Sequence, residues 1–221
     1  MVLTRWSRWA PLTGVVAALF GVAGAVIQIL ANSPGSDASG AQVIAFYEAH
    51  RTGEQVASVL LTFAFVFLVF FAGSLRAHMR DAAGVEALSA LVLAGAVIEA
   101  VGQTIGTGLN YALADVPGHL EPAAAQALNV LANDMVLTNA AGLFVFAMSA
   151  GLAILRGIQM PRWLGWVAIG IAIVVVTPAE ALGFLALTVW MVVVSLLLFA
   201  RRRQPIGGGP GDALPASPLG D

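Results

Sequence analysis

The stretch QVASVLLTFAFVFLVFFAGSL, residues 55–75, runs for twenty-one residues without a charged side chain. Crossing the ~30 Å hydrocarbon core of a bilayer takes ~20 mostly apolar helical residues. Inside lipid every backbone N–H and C=O must be satisfied within the segment, which leaves the α-helix as the way for one such run to cross. Comparable runs recur at about 11–30, 87–113, 131–155, 163–177 and 181–200. Together they predict an all-α fold: a polytopic membrane helix bundle of six transmembrane helices within residues 1–203. Composition closes the alternative. Hydrophobic residues make up 59% of the chain, charged residues 10%, and the mean hydropathy is +0.90. A soluble domain runs nearer ~45–50% apolar and ~25% charged. A 22.7 kDa globule in water could not bury that much apolar surface. The principal partner is therefore a lipid bilayer.

Two runs need comment. Run 11–30 follows Arg5 and Arg8 and contains Ala23-Gly24-Ala25, which has the small-x-small look of a signal-peptidase site. It continues through Leu30, too long for a signal-peptide core, so a retained first helix is expected. Run 163–177 reaches only ~22 Å at 1.5 Å per residue. It either spans a locally thinned bilayer or forms a re-entrant hairpin with 181–200, with a helix break at Pro178 and Glu180 in both cases.

Arginine placement sets the orientation. The chain has no lysine, and nine of its ten arginines fall on one side if there are six crossings: Arg5, Arg8, Arg76, Arg80, Arg156, Arg162, Arg201, Arg202 and Arg203. Arg51 stands alone on the other side. Both termini are expected to be cytoplasmic, in the cytoplasmic (plasma) membrane of a bacterium; the all-arginine, Ala/Gly/Val-rich usage suggests a high-GC genome. Trp6, Trp9, Trp163 and Trp166 lie beside the same interface, where amphipathic rings prefer to sit. Trp190, in mid-helix, reads as a packing residue. In the first outer loop, SGAQVIAFYEAHR (39–51) has Ser39 and Gln42 at capping-box spacing, and Val43, Phe46, Tyr47 and His50 recur at helical spacing. It predicts a short outer amphipathic helix that caps the bundle. Residues 204–221, rich in glycine and proline, cannot bury a core and are expected to be a disordered cytoplasmic tail.

Several function classes drop out. The net charge of −2 and the lack of a basic domain give no nucleic-acid partner. Without cysteine there are no disulfides, thiolate nucleophiles or Cys-ligated metals. His50, His78 and His119 all fall in loops, so a bis-His transmembrane haem is not expected. Outer-side Glu48, His50, Asp115, His119 and Glu121 lack metal-ligand spacing, and no metal site or cofactor is assigned. Ser58 and Thr62 are expected to bond their own backbone. No nucleophile elbow, phosphate loop or dinucleotide fingerprint is present, and the role is read as non-enzymatic.

What remains is a polar stripe. On a helical wheel Glu99, Gln103, Thr107 and Asn110 fall within an arc of about 80°, bordered by Gly95, Gly102 and Gly106. GQTIG (102–106) is also a GxxxG pattern, which lets another backbone approach. The next run presents Asp134, Thr138, Gly142 and Ser149 in a similar arc, and the two faces are expected to meet. Glu99 then lies ~20 Å and Asp134 ~8 Å below the outer edge, too far apart to share a proton. With no arginine or histidine in a helix core to neutralise it, Glu99 is expected to be protonated, because a charge at that depth is expensive. Two readings follow: interhelical glue, or a group that exchanges a proton or contacts a small cationic ligand in a cavity opening outward past Asn110 and Asp134. A homo-oligomer and a small-molecule or ion ligand both stay open.

The outer AQVIAFYEAHR helix, the second helix ending FFAGSLRAHMR and the later turn MPRWLGWVAI together resemble a group of actinobacterial multi-pass membrane proteins, the DUF4386-like kind. The likeness spans most of residues 10–200. It implies a six-helix integral membrane protein and carries over no substrate, cofactor or catalytic residue.

Overall fold

The computed structural model describes residues 9–80 and 84–201. Trp6, the arginines at 5, 8, 202 and 203, and the 204–221 tail lie outside the described residues. All regular structure among the described residues is helical: α1 Thr13–Ala31, preceded by a 3-10 turn, α2 Gly40–Met79, α3 Glu86–Asp115, α4 Pro122–Asp134, α5 Val136–Leu155, α6 Arg162–Val174 and α7 Glu180–Arg201. Five helical stretches are long and apolar enough to cross a membrane; α4 with α5 counts as one of them, and α6 is a shorter apolar helix.

Six of the helices close into a ring. α1 packs on α2, α2 on α3, α3 on α5, α5 on α6, α6 on α7, and α7 returns to α1. Each sequential neighbour is a spatial neighbour, as short connections favour. α5 is the most enclosed and α1 the least. On the arginine-rich side, called inner here, the axis of the ring is plugged. Phe71 of α2, Phe146 of α5 and Trp190 of α7 are buried and meet in sequence, the first pair tilted and the second edge-to-face, with ring centroids 6.5 Å and 6.3 Å apart. Trp190 donates its indole N–H to the Leu164 carbonyl at 3.0 Å, so its one polar atom is satisfied in the packing.

Close backbone approach builds the α3–α5 seam. A Cβ added to Gly95 would run into the backbone N of Phe146 and sit 2.9 Å from the Gly142 oxygen; one added to Gly142 would lie 2.5 Å from the backbone N of Glu99. Gly151 and Gly165 do the same for α5 and α6. The small-residue face expected on 87–113 is therefore used inside the chain, and its tightest point is Gly95, one turn before GQTIG.

Three segments differ from the sequence expectations. First, 39–51 and 55–75 are not separate elements: α2 is continuous over 40 residues. Ser39 and Gln42 form the capping box, the Ser39 N–H donating to Gln42 Oε1 at 2.8 Å. The two parts are joined through a kink where His50 leaves helical geometry (φ −115°, ψ 16°). Thr52-Gly53 is too weak a breaker to end a helix. At ~1.5 Å per residue α2 is ~60 Å long, twice a hydrocarbon core, so its outer part stands clear of the membrane. There Val43 and Tyr47 pack on Leu113, Ala114 and Ala125, capping α3 and α4. Second, run 131–155 is broken at Met135, and its first residues belong to α4. Third, α6 ends at Val174; a turn through Thr177 and Pro178 leads into α7 at Glu180. Trp9, Trp163 and Trp166 are exposed.

Candidate functional site

Glu99 is wholly buried at the middle of α3. Its position follows from the seam: Gly142 holds the Glu99 backbone against α5. The i+4 neighbour Gln103 donates Nε2–H to Glu99 Oε1 at 3.0 Å. Glu99 Oε2 has no hydrogen-bond partner. A buried carboxyl oxygen left bare is costly unless something fills the space beside it.

Glu99 is also one of the residues lining a cavity of about 310 Å³, outward of the buried Phe71, Phe146 and Trp190. Its walls come from α1, α2, α3, α5 and α7. They are mostly small or apolar residues, and the polar ones are Gln28, Glu99, Gln103 and Thr188. Outward of it lies a second cavity of about 440 Å³, a cup at the outer end of the bundle. The cup is rich in amides: Gln28, Asn32, Asn110, Asn129 and Asn133 line it with the buried Tyr47. Gln28 is on both walls.

Local folding explains the cup. α1 terminates at Asn32, which takes the left-handed conformation (φ 58°) and donates its N–H to Ile29. Asn is one of the few residues that adopts this geometry readily. The loop after it is tied to α4: Asn129 Nδ2 donates to the Gly35 carbonyl at 2.9 Å and Asn133 Nδ2 to the Pro34 carbonyl at 3.4 Å. Below the loop sits a second buried carboxyl, Glu54 of α2. Gln28 Nε2 donates to Glu54 Oε2 at 3.4 Å and Ser33 Oγ donates to Oε1 at 3.2 Å, so Glu54 holds the outer end of α1.

The expected stripe is thus divided among several surroundings. Glu99 and Gln103 share the inner cavity. Asn110 reaches the cup, where its Oδ1 accepts from the Tyr47 hydroxyl at 3.2 Å. Thr107 turns to α2 instead, its hydroxyl 3.2 Å from that of Thr62, which also bonds the Ser58 carbonyl. Asp134 and Thr138 are exposed and do not line either cavity. Asp134 ends α4, before the break at Met135; Thr138 follows the break, and its methyl lies beside Gly102 of α3. The buried polar residue that faces α3 there is Asn139, whose Oδ1 would lie 2.5 Å from a Cβ on Gly102. Gly142 and Ser149 are buried as expected.

Sequence reasoning passed over Gln28 and Glu54. Gln28 recurs with Ala18, Gly21 and Ala25 at helical spacing on one face of α1, and Glu54 with Ala57, Ser58 and Leu61 on α2. That signal appears once 39–51 and 55–75 are read as one helix.

The outer charged residues make local contacts. Arg51 donates to the Asp115 carbonyl at 2.5 Å and lies 3.6 Å from its carboxylate, both half-exposed; such a pair contributes little. His50 stacks on Phe46 and contacts its carbonyl. Among the described residues no three of His, Asp and Glu converge to hold a metal. The chain matches no known family model, no curated protein and no solved structure.

Proposed function

We propose that this chain is a non-enzymatic, multi-pass protein of the bacterial cytoplasmic membrane, a small proton-linked carrier or ligand-binding protein that uses Glu99 as its exchanging group. On this reading the chain crosses six times and both termini are cytoplasmic, which the nine arginines on one side support. The single observation that carries the functional reading is the Glu99 carboxyl: wholly buried, with Oε2 lacking a partner, on a residue that helps line a cavity. Interhelical glue would instead show both oxygens taken up by neighbouring helices. Gln103 satisfies one and leaves the other without a protein partner. The inner end of the axis is closed by Phe71, Phe146 and Trp190, and Gln28 joins the cavity wall to the outer cup. On this reading the carrier faces outward. A kinship with the DUF4386-like group is proposed on the quoted motifs alone.

The test is carbodiimide labelling of native membranes. A hydrophobic carbodiimide reacts with a protonated carboxyl in an apolar cavity. It is expected to modify Glu99, identified by peptide mass, and to leave the Glu99→Gln protein unmodified at that peptide. Failure to label Glu99 in the wild-type protein would remove the basis of this reading.

A further inference from the structure

We propose that the Glu99 cavity takes a small organic amine with an apolar body, which enters from the outer amide-lined cup past Gln28. The inference rests on Glu99 being an exchanging group and adds the class of molecule that exchanges with the proton.

Charge is the first filter. The cavity wall carries one acidic group, Glu99, and no basic one. A buried carboxylate needs one compensating positive charge. A proton supplies it, and so does one ammonium; an anion would add a second uncompensated charge. Divalent metals are poorly served, since they require about six oxygen ligands in fixed geometry, and the wall offers one carboxylate and two side-chain amides.

Shape and surface are the second filter. About 310 Å³ is at the small end of ligand sites. Leu61, Leu68, Leu143, Leu187 and Met191 supply apolar wall, and Phe65 and Phe184 offer rings whose faces attract cations. An inorganic cation would leave this surface unused. A molecule with one amine and a compact hydrocarbon body uses both the wall and the carboxyl.

The route is the third. The cup contains amides and a phenol that can replace the hydration of an ammonium on its way in. Gln28 stands between the chambers, its amide directed to Glu54, a second buried acid just outside the inner cavity. Glu54 accepts from Gln28 on the outward side, and Gln28 lines the inner cavity together with Glu99. At Glu99 the exchange is balanced: the ammonium pairs with the carboxylate, and the carboxyl proton leaves outward. No other titratable side chain lines the inner cavity; Glu54 and Tyr47 lie on the outward side and are the groups that would modulate it.

Benzylamine, benzyl alcohol and benzoate are near-isosteres differing in charge, and their binding to the detergent-purified full chain can be measured calorimetrically. Benzylamine is expected to bind and to release protons to the buffer, while the alcohol and the acid bind at least about tenfold more weakly. Glu99→Gln should weaken benzylamine by about ten- to a hundredfold, the range of a charge-assisted hydrogen bond. The chain has no native cysteine, so Ala25→Cys reports on the cavity directly. A membrane-impermeant cationic thiol reagent should modify it from the outer side, benzylamine should protect it, and adding Gln28→Trp should slow it. Equal binding of the three probes, or labelling of Ala25→Cys from the inner side only, overturns the proposal. The wild-type probe comparison needs no variant to fold. If carbodiimide labels Glu99 but benzylamine does not bind, the amine class fails and the proton-exchanging reading stands. If Glu99 is not labelled, both fail.

Discussion

Glu99 sits between two seams of opposite character. On one side α3 meets α5 backbone to backbone, with Gly95 and Gly142 leaving no room for a methyl group. On the other, α1 and α7 touch at their inner ends, where Trp9 lies 5.4 Å from Phe199 and Gly14 packs on Ser195. They then part around a cavity. The tight seam fixes where the carboxyl is; the loose one decides what can reach it. Close packing is expensive to disturb, because a well-filled interior has no slack, whereas a void accepts added volume. A site built on this contrast is positioned on its rigid flank, and any opening motion falls to α1 and α7.

The largest effect is expected where the contrast is steepest. Gly95→Ala and Gly142→Ala should each destabilise the protein by about 1–3 kcal/mol, the usual cost of forcing volume into a packed site, because the obstructing atoms are backbone and cannot rotate away. Gly108→Ala, on the same helix as Gly95, meets open space. It should be neutral or stabilising by up to about 1 kcal/mol, since alanine is the better helix former. Denaturant titration of the three variants in mixed micelles separates these signs. Equal losses at Gly95 and Gly108 would mean the seam is not as tight as its geometry implies.

A smaller effect, of opposite sign for stability and binding, belongs to the loose seam. Ala18 is buried and lines the cavity. Ala18→Phe should occupy part of it, changing stability by between zero and about +1 kcal/mol, as cavity-filling substitutions do. Benzylamine should then no longer raise the unfolding temperature. Loss of fold in this variant, with Gly95→Ala tolerated, would reverse the assignment of tight and loose sides.

The sequence read most clearly where the lipid alone dictates the answer. Twenty-residue apolar runs must become helices, so the all-helical bundle followed from the runs, and the Glu99–Gln103 pair followed from i,i+4 spacing on one of them. It read less well wherever a partner is distant along the chain. Asn110 and Thr107 are on the expected stripe, yet Tyr47 and Thr62, sixty-three and forty-five positions away, decide what each does. Glu54 fell between the two runs 39–51 and 55–75; the continuous α2 carries it inward to Gln28 and Ser33. The cavity has no local signature at all. It is the gap left when α1 and α7 diverge, a property of tertiary packing.

The smallest expected effect tests the phase of α5. The arc drawn for this run put Asp134 and Thr138 on the face toward α3; both are exposed, and only Thr138 lies beside that helix, at Gly102. Substitutions away from packed or bonded positions usually move stability by no more than about 0.5 kcal/mol. Asp134→Asn should therefore leave unfolding within that range and leave carbodiimide labelling of Glu99 and benzylamine binding unchanged. Asn139→Leu is the informative neighbour. Asn139 is buried against Gly102 with its Oδ1 lacking a partner, and replacing an unsatisfied amide by an apolar group of similar size costs little or stabilises. If Asp134→Asn altered Glu99 labelling while Asn139→Leu did not, α4 and α5 would have to behave as one straight helix, and the boundary between the fixed and the open flanks of the site would need to be drawn elsewhere.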